Sequence, residues 1–389
     1  MHKFDKLNIE QLRAKAAMKW KKYPEDVLPL WVADMDFPIA DEIKEAIIAY
    51  MDTDMFGYAD YEGLPGLKEA AIERMWNRYQ WGLNEEHIYP IAGIVQGLFL
   101  SVLATTSKRE EVIIQTPVYG PFMMGVEKYN RVAVYNQLYR DQAGWGIDFD
   151  LLESQISPAT RMLMLCNPHN PVGRAYSRSE LERLAEIVLK HRLWVVSDEL
   201  HSDLIYIGHK HIPFASLSPE IAQRTITLFG ATKTFNIAGL KTGFLATENA
   251  GLMQYVQNIA AGITTKPNVL GQIATIAAYQ KGDDWLADVL NYLDKNRIFI
   301  AKYISENLPA VTYFAPEASY LAWFDMSKYD LENPSEFLLE NAKLALNDGA
   351  WFGAGGEGHV RLNFATSQYI IEKALERIKI ALADVPVIS

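Results

Sequence analysis

The 389-residue chain contains one cysteine, Cys166, so no intramolecular disulfide can form and the reducing cytoplasm is the expected compartment. Cys166 itself reads as a buried strand residue without chemistry. Positive charge is also scarce. The 37 Lys and Arg stand against 48 Asp and Glu, a formal charge of −11 that repels phosphate backbones and argues against nucleic acid as a partner. No stretch of about 18 uncharged apolar residues occurs, so no membrane span is expected. The opening MHKFDKLNIEQLRAK interleaves charges with apolar residues, so no secretory leader is expected. The eight histidines lack metal-ligand spacing, and no metal is expected. Solenoid repeats and low-complexity tracts are missing too. What remains is an ordinary globular composition, 49% apolar, at a length that suits two or three domains of roughly 150 residues each.

The middle of the chain alternates apolar runs with helical patterns. Glu111–Gln115, Met162–Cys166, Leu193–Ser197 and Thr225–Phe229 read as buried strands. Between the second and third, Ser179–Arg192 places Leu181, Leu184, Ile187 and Val188 on one helical face, and Ser179 with Glu182 reads as its capping box. Strand, helix and strand within about 35 residues make a βαβ unit, hence a mostly parallel sheet flanked by helices. Such a sheet carries its chemistry at the carboxyl ends of its strands. The last hundred residues differ: a long helix over Asp283–Asn307, strands at Ser319–Phe324 and His359–Phe364, and a closing helix form a smaller α+β domain. The expected division is 1–45 as an N-terminal segment packing on the small domain, 46–285 as the large domain and 286–389 as the small one.

The strand ends gather an unusual set of groups. TPVYG places Tyr119 after the first run, and NPHNPVG exposes Asn170 after the second. Asp198 and His201 follow the third, and Gly230, Ala231, Thr232 and Lys233 follow the fourth. These types suit pyridoxal phosphate (PLP), whose aldehyde needs an amine, whose ring nitrogen needs a carboxylate and whose flat ring needs a stacking partner. Its phosphate needs N–H groups at a helix start and a cation. GIVQG after Ile88–Ile91 offers the former, and Lys241 the latter. By residue type alone the plain readings stand beside these: Lys233 as a solvated lysine, Asp198 as a helix cap, Asn170 as a turn residue, His201 as a structural hydrogen-bonder, Tyr119 as packing.

ATKTFNIAGLKTGF, NPHNPVG and SDELHSD resemble, in order and over nearly the whole chain, the fold-type-I PLP enzymes of the aspartate aminotransferase superfamily. WVADMDFP, TPVYGPF, DELHSD, KTFNIAGLK and HVRLNFAT resemble its MalY/PatB-type cystathionine β-lyase branch. The resemblance implies that Lys233 binds the cofactor's aldehyde and is the catalytic base. Asp198 then serves the ring nitrogen, Asn170 and His201 the 3′-oxygen, and Tyr119 the ring face. Ile94, Val95 and Thr232 with Lys241 hold the phosphate, and Arg361 with Ala33 the substrate. Tyr58, in FGYADYEG, would reach the phosphate of a second subunit, making a homodimer with composite sites. Two departures stand out: Gly230 replaces a common phosphate-binding serine and Lys241 a common arginine. The implied activity is α,β-elimination from L-cystathionine or cysteine S-conjugates. A class I/II aminotransferase is the alternative, and a PLP-binding regulatory protein a second one.

Overall fold

The computed structural model describes residues 2–15, 17–54, 56–60 and 62–388. Seven strands form the central sheet: β1 (Ile88–Ile91), β2 (Glu111–Thr116), β3 (Val132–Gln137), β4 (Thr160–Cys166), β5 (Trp194–Asp198), β6 (Thr225–Phe229) and β7 (Gly243–Ala246). Their spatial order is β1-β7-β6-β5-β4-β2-β3. β7 runs opposite to the other six strands, so the sheet is mostly parallel, as the βαβ reading requires.

Both faces of this sheet are covered, which is why its strands read as continuous apolar runs rather than alternating ones. Side chains alternate across the pleat. Met162, Met164 and Cys166 of β4 pack with Ile94, Leu98 and Val102 of helix α1 (Ile94–Thr105). Leu163 and Leu165 pack on the other face with Leu181, Leu184 and Val188 of helix α2 (Arg178–His191). Gly97 lets α1 lie close on the sheet, because a Cβ there would meet Leu228 Cδ2 at 2.6 Å and Ile91 Cδ1 at 2.8 Å.

The start of α2 corrects the sequence reading. Its cap is Ser177, paired reciprocally with Glu180, not Ser179 with Glu182. Two overlapping S-x-x-E patterns occur, and the extended backbone falls at Ser177, leaving Ser179 inside the first turn. Glu182 instead faces Arg178 one turn away.

Helix α3 (Asp283–Asn307) leads into a second sheet. There β8 (Thr312–Tyr313), β9 (Leu321–Asp325), β10 (Asn347–Asp348) and β11 (His359–Asn363) form an antiparallel sheet in the order β8-β9-β11-β10, closed by α4 (Gln368–Leu382). The β9 strand begins two residues later than the apolar run suggests, since Ser319 adopts a positive φ and Tyr320 precedes the ladder. The N-terminal segment lies alongside: Leu28–Pro29 pairs in parallel with Leu344–Ala345, and Tyr292 of α3 donates to Asp5 at 2.7 Å.

Candidate active site

A cleft of about 810 Å³ opens at the carboxyl ends of the central strands, where that sheet meets the N-terminal segment and the C-terminal sheet. Its lining brings together Ala33, Ile94, Val95, Tyr119, Asn170, Asp198, His201, Thr232, Lys233, Lys241 and Arg361 from segments far apart in sequence. Tyr58 is not among them; it is fully exposed on the 56–60 stretch.

Strand register sets the floor. Cys166 at the end of β4 lies opposite Asp198 at the end of β5, and Asp198 opposite Leu228 of β6. Asp198 is buried, with one backbone donor, Leu200 N–H, at 3.1 Å. Burial pushes its carboxyl up to about 7, partly opposed by that hydrogen bond. Lys233 follows β6 and donates from Nζ to the Ala33 carbonyl at 2.6 Å. Burial lowers its amine to about 8, against the pull of Asp34. His201 is buried and meets Ser319 Oγ through Nδ1 at 2.9 Å; burial lowers it to about 3, so its imidazole is neutral.

Arg361 projects from β11 and is buried. It donates to Asn170 Oδ1 at 2.9 Å, the Trp31 carbonyl at 3.2 Å and Asn347 Oδ1 at 2.5 Å. Its Nε is buried and has no partner among the described residues. Burial lowers the guanidinium only to about 10, so it remains charged at neutral pH. Asn170 spends its carbonyl on Arg361, which leaves its amide N–H groups as donors toward the cleft. Tyr119 is half-buried, edge-on to Trp351 at 5.4 Å.

The first turn of α1 faces the same cleft without a side-chain cap, so its leading N–H groups are open to an anion. Thr232 is buried beside it, whereas Lys241 is exposed on a left-handed residue. The glycine at 230 has a steric reason: a Cβ would come within 3.1 Å of Gly243 Cα and 3.2 Å of the Thr242 carbonyl. A side chain there would be tight, and the facing backbone would have to give by a few tenths of an ångström.

Other residues of the recognised motifs do structural work. Glu199 accepts from Ser197, His211 and the Phe214 N–H, and Asp203 accepts from Arg74 and Tyr79. Sequence reasoning missed Asn347, Trp31 and Ser319, which orient Arg361 and His201. Asn and Ser in short connecting segments carry no signal of such a role.

The donor set fits PLP. An amine, a buried carboxylate with spare acceptor capacity, amide donors, an open helix N-terminus and a buried guanidinium line one cleft.

Comparison with known proteins agrees. The description "Aminotransferase class I and II" matches residues 25–378, and the chain belongs to that family. Cystathionine beta-lyase PatB of Bacillus subtilis is 39% identical over 389 positions, covering 98% of this chain and 100% of the relative. The structure of cystalysin from Treponema denticola, which contains pyridoxal 5′-phosphate, superposes with a TM-score of 0.92 at 31% identity, covering 99% of each chain. The PLP-bound C–S lyase of Staphylococcus hominis does so with a TM-score of 0.92 at 33% identity, covering 98% of this chain and 99% of that one.

Proposed function

We propose that this chain is a PLP-dependent carbon–sulfur β-lyase of the cystathionine β-lyase type, converting L-cystathionine or a cysteine S-conjugate to a thiol, pyruvate and ammonia. The observation that carries this reading is the convergence of Lys233, Asp198, Asn170 and Arg361 on one cleft. The full-length likeness to PatB supports the choice of reaction within the family. When bound, PLP supplies the electron sink that makes the substrate Cα–H acidic.

The chain's own residues do the rest. Lys233 would hold the cofactor's aldehyde carbon, Asp198 a proton at the ring nitrogen, Asn170 the 3′-oxygen, and the α1 N–H groups with Thr232 and Lys241 the phosphate. Arg361, a buried cation that lines the cleft, would bind the substrate α-carboxylate and so fix which substrate bond faces Lys233. A lysine amine lowered to about 8 is part-deprotonated at neutral pH, so Nζ can take the Cα proton and later return one. Cleavage of the Cβ–S bond sends its electron pair out with sulfur as thiolate.

Purified holoenzyme given L-cystathionine should release L-homocysteine and pyruvate in equal amounts without an added keto acid. Product that depends on a keto-acid acceptor, with no thiol, would make it an aminotransferase instead. The same reading makes the active unit a homodimer in the cytoplasm, where a lone buried thiol stays reduced. Its support is the full exposure of Tyr58 beside exposed Phe56, together with the missing serine at Gly230. Once Tyr58→Phe is shown to be impaired alone, mixing it with Lys233→Ala under subunit exchange should restore activity. No recovery despite exchange would place Tyr58 in its own chain's site.

A further inference from the structure

The cleft extends past the buried group around Arg361. Its lining continues through Met18, Lys22, Tyr23, Trp31 and Glu336 to solvent. Lys22 and Glu336 are exposed, carry opposite charge, and form no ion pair with each other or with any other described residue. Both are tied to the α-carboxylate end.

Lys22 Nζ rests 4.1 Å from the Trp31 ring centroid and 5.3 Å from that of Tyr23, an aromatic cradle that orients the ammonium. The Trp31 carbonyl accepts from Arg361 at 3.2 Å. On the other side, Arg361 bonds Asn347, the neighbouring Asp348 accepts from Asn333, and Asn333 Oδ1 caps the Ser335 and Glu336 N–H groups. Asp348 is thus committed within the chain, which leaves Glu336 as the free carboxylate at the start of the helix Pro334–Asn341.

We infer that Lys22 and Glu336 form a second head-group subsite, one that binds the carboxylate and ammonium at the far end of a thioether whose leaving group is itself an amino acid. This rests on the lyase reading and names its substrate class: thioethers whose leaving group carries its own ammonium and carboxylate, such as L-cystathionine, over those with an uncharged leaving group, such as S-methyl-L-cysteine. Aromatic Tyr23 and Trp31 would line the path of the intervening thioether chain.

The test compares wild-type, Lys22→Met and Glu336→Gln holoenzymes on both substrates at low and high salt. Exposed charge contacts are modest, so each substitution should lower the L-cystathionine to S-methyl-L-cysteine ratio of kcat/KM about threefold to fivefold, through KM. High salt should lower the wild-type ratio in the same direction. Equal losses on both substrates, or an unchanged ratio, would overturn the subsite. Absence of pyruvate from either substrate would defeat the lyase reading alone. The subsite is then decided by calorimetric binding of the two amino acids to the same three proteins, where the affinity ratio must fall if the inference holds and stay constant if it does not.

Discussion

The two walls of the cleft are built by opposite means. The wall at the central sheet offers side chains with few internal partners: among the described residues Asp198 has a single backbone donor, and Asn170 keeps its amide N–H groups free. The facing strap, Trp31 to Phe37, offers backbone carbonyls that are heavily bonded. Val32 and Asp34 carbonyls accept from Asn363, that of Asp34 also from Lys19, and those of Met35 and Phe37 from Asn236. The Ala33 carbonyl takes both Lys233 and Tyr320. Buried polar groups left short of partners cost stability, and those fully satisfied add rigidity. One wall therefore holds unspent bonding capacity for a ligand, and the other fixes the geometry against which that ligand is held.

The largest expected effect falls on the first wall. Asp198→Ala should lower kcat/KM for L-cystathionine about 10³-fold or more, because the ring nitrogen loses the group that keeps it protonated. His201→Phe should cost about tenfold or less, since Asn170 remains beside it. Comparable losses, or the reverse order, would mean that the ring-nitrogen partner is misassigned.

A pH measurement sharpens the same contrast. Asp198 is held up at about 7, against an ordinary value of 3.8. Between those values the folded chain keeps a proton that the unfolded chain has released, so this group's contribution to stability falls as pH rises through the window. Cofactor-free wild type should therefore lose up to about 4 kcal/mol relative to Asp198→Asn from the bottom of the window to its top, by calorimetry. PLP should shrink the difference by giving the carboxylate a positive partner. Parallel curves for the two cofactor-free proteins would contradict the unspent-capacity account.

On the strap, Asn236→Gly keeps the left-handed backbone but removes the bonds to Met35 and Phe37. It should cost about 2 kcal/mol in urea unfolding, without a change in which residue binds the cofactor. A loss of activity with no loss of stability would show that the strap acts chemically rather than as a support.

The two walls were also unequally legible in the sequence. Apolar runs ending in Asn170, Asp198 and Lys233 announced the first wall, because a parallel sheet forces chemistry to its carboxyl edge. The strap works through main-chain carbonyls, which every residue type possesses, so WVADMDFP marked its location without revealing that Ala33 binds Lys233. Lys22 and Glu336 are of types common on any solvated surface; only the cleft sets them apart. The displaced capping box at Ser177 shows the remaining limit, since two overlapping patterns are chosen by backbone conformation rather than by composition.

The central claim is that Lys233 is the residue on which PLP is held. Borohydride reduction of the purified yellow protein followed by peptide mapping tests it most directly. The account predicts a single pyridoxyl group on Lys233, and none in Lys233→Ala. A pyridoxyl group on Lys241, Lys22 or any other lysine of the wild-type chain would contradict it.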